Sequence, residues 1–224
     1  MFAPARWPRL AAAVSDYSWL LTRGYSQPSG IKLVGDRFNL NQRQRAAVLR
    51  CACADEAVQT RRAKEIPLAV LAGHALWIDG FNVLTTIEVA LAGGVVLRAR
   101  DGCYRDIASV HGTYRKVEET RPAIAAVART LAKSRPATCL WLLDRPVGNS
   151  GRLKELLLQG AAAHGLDWTA ELVLDPDSRL IESDAIVASA DSAILDRCRA
   201  WVNLARAVID QHVAQARIVP MDGG

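Results

Sequence analysis

The chain carries neither the glycine-rich dinucleotide fingerprint nor a Walker phosphate loop, which sets aside two familiar nucleotide cradles. No grouping of serine, cysteine and histidine suggests a nucleophilic triad. No apolar run approaches the length of a membrane span. Residues 1–9 hold two arginines and two prolines but no continuous apolar core follows them, so a signal peptide is not expected. Both points lead to the expectation of a cytoplasmic protein. Cysteine is sparse and odd in number: Cys51, Cys53, Cys103, Cys139 and Cys198. Only Cys51 and Cys53 are close, and without a His or Cys partner at finger-like spacing a zinc site is not expected; buried free thiols are. Internal repeats and low-complexity segments are also missing.

The residues that are present divide by charge. Half of the 224 residues are hydrophobic, enough for an ordinary core, and the net charge is +5. Residues 1–70 carry 11 Lys+Arg against 5 Asp+Glu, whereas residues 71–224 carry 17 against 18. The basic excess falls on Arg37, Arg43, Arg45, Arg50, Arg61, Arg62 and Lys64. Such a lobe suits a polyanion beside a near-neutral body, or is simply a solvated helical face. Helical periodicity covers residues 10–23, then a helix capped by Asn41, then residues 55–63, with Ser26 to Gly30 read as a loop. Residues 1–68 are therefore expected to form a small basic helical domain, and residues 69–224 an α/β domain.

In that second part, apolar strand-like runs alternate with helical ones near 83–91, 121–134, 151–164 and 192–212. Val95 to Arg100 and Cys103 to Ile107 flank Asp101-Gly102 and predict an antiparallel hairpin. Four apolar runs stop on an aspartate: Leu76 to Asp79, Cys139 to Asp144, Glu171 to Asp175 and Ala185 to Asp191. Continuous apolar runs of this kind predict strands buried on both faces of a parallel sheet. Ligands of open α/β sheets bind outside the carboxyl ends of the strands. Neighbouring strands would bring these acids together, and crowded carboxylates repel unless a cation sits between them. Taken singly, each Asp is equally a cap of the next turn or helix.

Three segments carry the candidate chemistry. In Asp79-Gly80-Phe81-Asn82, a strand-end acid precedes a sharp turn and an amide at the helix start. In Asp144 to Arg152, another strand-end acid leads to a helix N-terminus, where Asn149, Ser150 and Arg152 either bind phosphate or cap and decorate the helix. In Asp184 to Ser192, two acids bracket an apolar run. An extended strand of that length separates Asp184 from Asp191 by roughly 20 Å, which ranks Asp191 first. Glu88 and His111 are lesser candidates, each with an ordinary structural reading: an exposed helical Glu and a loop His.

With these residues in view, Asp79-Gly80-Phe81-Asn82, Leu142-Leu143-Asp144 and Ser189-Ala190-Asp191-Ser192 resemble the PIN-like nuclease superfamily, particularly its NYN branch. The layout also resembles a prokaryotic family in which a basic helical domain of unknown function, with a string like Arg37-Phe38-Asn39-Leu40, precedes a PIN-like domain. That likeness covers roughly residues 8–212. It implies a Rossmann-like, mainly parallel sheet flanked by helices. It also implies hydrolysis of RNA phosphodiesters with Mg²⁺ or Mn²⁺ held by Asp79, Asp144 and Asp191, with Asp184 as a further catalytic acid. Asn82, Asn149, Ser150, Arg152 and Ser192 would then bind the substrate. The alternatives are a non-catalytic RNA- or protein-binding module, or a small-nucleotide phosphohydrolase. RNA is the expected partner, no membrane is expected, and self-association and protein partners stay open.

Overall fold

A computed structural model describes residues 2–107 and 118–223. The helices are α1 (Trp7–Thr22), α2 (Gln27–Arg37), α3 (Gln42–Cys51), α4 (Asp55–Lys64), α5 (Gly80–Leu91), α6 (Thr120–Ser134), α7 (Ser150–Ala162), α8 (Pro176–Glu182), α9 (Ser192–Arg197) and α10 (Leu204–His212). The strands are β1 (Ala75–Asp79), β2 (Val95–Arg98), β3 (Tyr104–Asp106), β4 (Thr138–Asp144), β5 (Trp168–Val173), β6 (Ile186–Ala188), β7 (Trp201–Val202) and β8 (Arg217–Pro220). No helix among the described residues is long and apolar enough to cross a membrane.

The chain forms two compact units. The α/β unit, Lys64–Gly94 with Ala108–Ala216, is built on a five-stranded sheet of order β5-β4-β1-β6-β7. Every neighbouring pair is parallel: β1 with β4 and β6, β4 with β5, β6 with β7. The middle of β4, Cys139 to Leu143, is buried throughout, as an apolar run covered on both faces requires. Helices α5, α6, α7 and α10 pack on one another beside this sheet, while α8, joined by α9, lies on β1 and β4. This is the α/β architecture expected from the alternation of elements.

The helical unit differs from the expected block of residues 1–68. It consists of Met1–Ala63, Val95–Ile107 and Arg217–Gly224. Hydrophobic burial explains the addition. Leu10, Ala13, Val14 and Tyr17 of α1 meet Val34, Leu40, Ala47 and Val48, and the same core takes in Leu97, Ala99, Val219 and Met221. The hairpin forms as its Asp-Gly turn predicts, with Val96 opposite Asp106 and Arg98 opposite Tyr104. It does not join the main sheet: β2 pairs in parallel with β8 to give a three-stranded sheet of order β3-β2-β8. Helix α3 begins where Asn41 predicts. Asn41 Oδ1 accepts from the Gln44 N–H at 3.0 Å and Gln44 Oε1 accepts from the Asn41 N–H at 3.2 Å, a closed capping box. All of the chain's positive excess lies in this unit, which holds 14 Lys+Arg against 7 Asp+Glu; the α/β unit holds 14 against 16.

Candidate active site

The parallel register sets the site. Asp79 ends β1 and Asp144 ends the adjacent β4, so both acids sit at the carboxyl edge of the sheet. Asp191 follows β6, the other neighbour of β1, and caps α9 through Oδ1, which accepts from the Ala193 N–H at 2.8 Å and the Ile194 N–H at 3.3 Å. Asp177 lies in the first turn of α8. These four acids line one cleft of about 240 Å³, together with Phe81, Asn82, Thr85, Val147 and Pro176.

Short hydrogen bonds fix the cleft floor. Ser189 Oγ donates to Asp79 Oδ2 at 2.7 Å and accepts from the Asp191 N–H at 3.0 Å. Asn82 Oδ1 accepts from the Ala190 N–H at 2.8 Å. The segment after β6 is thereby tied to the β1–α5 turn, and Asn82, expected to bind substrate, has its carbonyl engaged in that tie. Asp79 is 8% exposed. Its burial, opposed by the Ser189 bond and reinforced by the carboxylates of Asp177 and Asp191, pushes its pKa up to about 7. Asp177 keeps much of its surface in water. Partial desolvation, then Asp191, Asp175 and Asp144, push its carboxyl above the ordinary range. Oδ1 of Asp144 is buried without a hydrogen-bond partner, an arrangement that costs free energy unless something fills it.

Gly80 lets this geometry close. A Cβ there would lie 2.4 Å from Leu143 Cδ2 and 3.0 Å from the Leu142 carbonyl oxygen, so the first residue of α5 rests directly on β4. Gly80→Ala is expected to lower unfolding free energy by roughly 1–3 kcal/mol through overpacking. Urea denaturation checks this, and an unchanged midpoint would mean that β4 yields without cost.

Several expected site residues fall elsewhere. Asp184 precedes β6, at the opposite end of that strand from Asp191. Its carboxylate is 80% exposed, ion-paired with Arg199, and part of a separate depression with His74 and Trp77. Strand rise separates the two acids, and of the two only Asp191 lines the cleft. Asn149 is in the left-handed region at φ 68°, exposed, and gives α7 no side-chain cap. Ser150 is buried and donates its hydroxyl to the Arg145 carbonyl at 3.4 Å. Neither they nor Arg152 nor Ser192 line the cleft. Glu88 is buried rather than exposed and accepts from Thr120 Oγ1 at 2.6 Å, away from the cleft lining. His111 lies outside the described residues.

Asp177 was the acid missed in the sequence, where Pro176 reads as a turn. The signal was present: Asp175 followed by Pro176 is a helix start, with a capping carboxylate before a proline in the first turn. Asp175 does cap α8, accepting from the Ser178 N–H at 3.0 Å and from Ser178 Oγ at 2.6 Å, and these bonds hold its pKa down.

Residues 68–207, which contain the entire cleft, match a family model described as Domain of unknown function (DUF5616). The chain belongs to that family. The DUF5616 segment includes the hairpin of the helical unit but stops short of β8. Residues 9–64 match a second model, described as Protein of unknown function (DUF434), which takes in α1 to α4. An uncharacterised protein of Methanocaldococcus jannaschii is 27% identical over 183 residues, spanning 82% of this chain and 87% of that protein. No solved structure matches the chain with significance.

Among the described residues, no three or more His, Cys, Asp or Glu converge closely enough to form a ready metal cage. The donor set nonetheless suits a hard cation, being all oxygen and including the unpartnered oxygen of Asp144. Mg²⁺ keeps several waters and is held directly by only one or two carboxylates, so a cleft wide enough for a hydrated ion fits it.

Proposed function

We propose that the chain is a metal-dependent ribonuclease with a PIN-like catalytic core, acting on RNA in the cytoplasm. One observation carries this reading: carboxylates from four separate chain segments line a single cleft at the carboxyl edge of a parallel sheet. Mg²⁺ or Mn²⁺ in this cleft, held directly by one or two of the carboxylates of Asp79, Asp144, Asp177 and Asp191, would supply a polarised water and offset charge on the scissile phosphate. The protein's own part is positioning. Ser189 orients the Asp79 carboxylate, Asn82 anchors the backbone that presents Asp191, and the α9 cap fixes the Asp191 side chain. Phe81, Val147 and Pro176 add apolar surface to the cleft lining. Five buried, unbridged cysteines are in keeping with a reducing compartment.

The lack of a tight three-acid cage favours the rival reading of a non-catalytic RNA-binding module, and one assay separates the two. Single-stranded RNA is incubated with the purified chain and Mg²⁺ or Mn²⁺, with EDTA as control. Cleavage is expected with metal and not with EDTA. Asp144→Asn and Asp177→Asn are each expected to lower the rate by roughly tenfold to a hundredfold or more, the scale seen for metal-site partners. Asp184→Asn is expected to leave the rate unchanged. Metal-independent cleavage, or equal losses at Asp184 and Asp144, would defeat the assignment.

A further inference from the structure

The helical unit holds a groove that the catalytic reading does not use. It lies between α1 and α2, has a volume of about 370 Å³, and is walled by Trp19 and Leu20 on one side and Leu33 and Val34 on the other. Trp19 is 53% exposed and Leu33 59% exposed, an unusual outlay of large apolar surface on two adjacent helices. The Arg23 guanidinium lies 3.6 Å from the centre of the Trp19 ring, steadying the indole and bringing positive charge to it. Arg37 and Asp16 also line the groove and pair with each other at 3.2 Å.

Charge decides the occupant. Asp16, Asp36, Asp55, Asp101 and Asp222 of this unit are each ion-paired with an arginine. Beside the groove, Arg23 on the Trp19 ring and Lys32 next to Leu33 in α2 are exposed and make no ion pair among the described residues. An apolar partner helix would satisfy the groove but not this uncompensated charge. A strand of nucleic acid satisfies both: its bases have flat apolar faces and its backbone is anionic.

We propose that the α1–α2 groove is a base-stacking site for single-stranded nucleic acid, with an unpaired base against Trp19 and Leu33 and the phosphates running past Arg23 and Arg37. This goes beyond the ribonuclease reading in naming where the strand is held, and rests on that reading only for the choice of RNA as the test strand.

The experiment is fluorescence anisotropy of a labelled single-stranded RNA with the full chain in EDTA, where metal-dependent cleavage is silent. Trp19→Ala is expected to weaken binding about tenfold, the scale of one stacked base, while Trp19→Phe retains most of the affinity. Leu33→Glu, at a position exposed enough to spare the fold, is expected to weaken it at least as much, and a matched RNA duplex to compete poorly. Unchanged affinity in Trp19→Ala overturns the site. So does a parent chain that sediments as a dimer and dissociates in Leu33→Glu, which would make the groove a contact between copies. Trp19-dependent binding by a chain that cleaves nothing supports the groove and sinks the nuclease, whereas cleavage with Trp19-independent binding does the reverse.

Discussion

Asp79→Asn is expected to abolish divalent-cation-dependent RNA cleavage and, above neutral pH, to make the α/β unit more stable. The two effects share one cause. In the folded chain the Asp79 carboxyl titrates at about 7, against an ordinary value of 3.8. Between those values the folded state keeps a proton that the unfolded state has released, so stability falls as pH rises through that window and is flat above it. At about 1.4 kcal/mol per unit, ionising Asp79 costs the fold on the order of 4 kcal/mol at most. An asparagine keeps the shape and loses the charge. At pH 8 its melting temperature is expected to exceed that of the parent by roughly 5–10 °C, taking about 2–4 °C per kcal/mol for a chain of this size. Near pH 4 the two should melt together. Millimolar Mg²⁺ should raise the melting temperature of the parent at pH 8 and leave that of the variant unmoved, because a ligand stabilises only the state that binds it. Cleavage that survives in the variant, or a parent as stable as the variant at pH 8, would mean that Asp79 is neither strained nor used.

The second large effect lies in the helical unit. The side chain of Asp101 is fully buried and serves two arginines at once. It accepts from Arg61 Nη1 at 2.5 Å, from Arg105 Nη1 and Nη2 at 3.0 and 2.7 Å, and from the Cys103 N–H at 3.2 Å. Burial alone would raise its pKa, but the Arg105 and Arg61 guanidiniums overrule burial and hold it below the ordinary range. Removing this carboxylate leaves two buried cations that have lost their shared anion. Asp101→Ala is expected to destabilise the unit by roughly 3–5 kcal/mol, the cost of breaking a buried ion pair from one side. Because the folded pKa is depressed, the contribution is present in full above about pH 4 and is lost as pH falls through the folded value. Hydrogen exchange should show the loss first in α3, α4 and the hairpin. An unfolding free energy within about 1 kcal/mol of the parent would show that water reaches the two arginines and compensates them.

The residues that misled the sequence reading did so for physical reasons. The sheet was legible because β4 and β1 are continuous apolar runs, and burial on both faces admits little else. Helix α2 was hidden behind Gln27-Pro28-Ser29-Gly30, which reads as a loop. Pro28 sits in the first turn, where no N–H is needed, and Gly30 is there for contact: a Cβ would come within 2.9 Å of the Tyr17 ring. The apolar runs before Asp79, Asp144 and Asp191 marked these three as edge acids, and all three line the cleft; Asp175 carried the same mark but caps α8 and does not line it. Asp177 was not marked, because its place depends on how α8 folds back over β1 and β4. Asp101 was read as half of a hairpin turn, which it is. Its role as a shared counter-ion rests on Arg61 from α4, and nothing local in the sequence links the two.

The pairing of β2 with β8 has a consequence for synthesis. A ribosome releases α1 to α4 first, yet Val219 and Met221, which complete their apolar core, emerge only after the whole α/β unit has been translated. The earliest helices must therefore wait, incompletely covered, for the latest strand, and a nascent chain halted before residue 217 offers chaperones a greasy surface that the finished protein conceals.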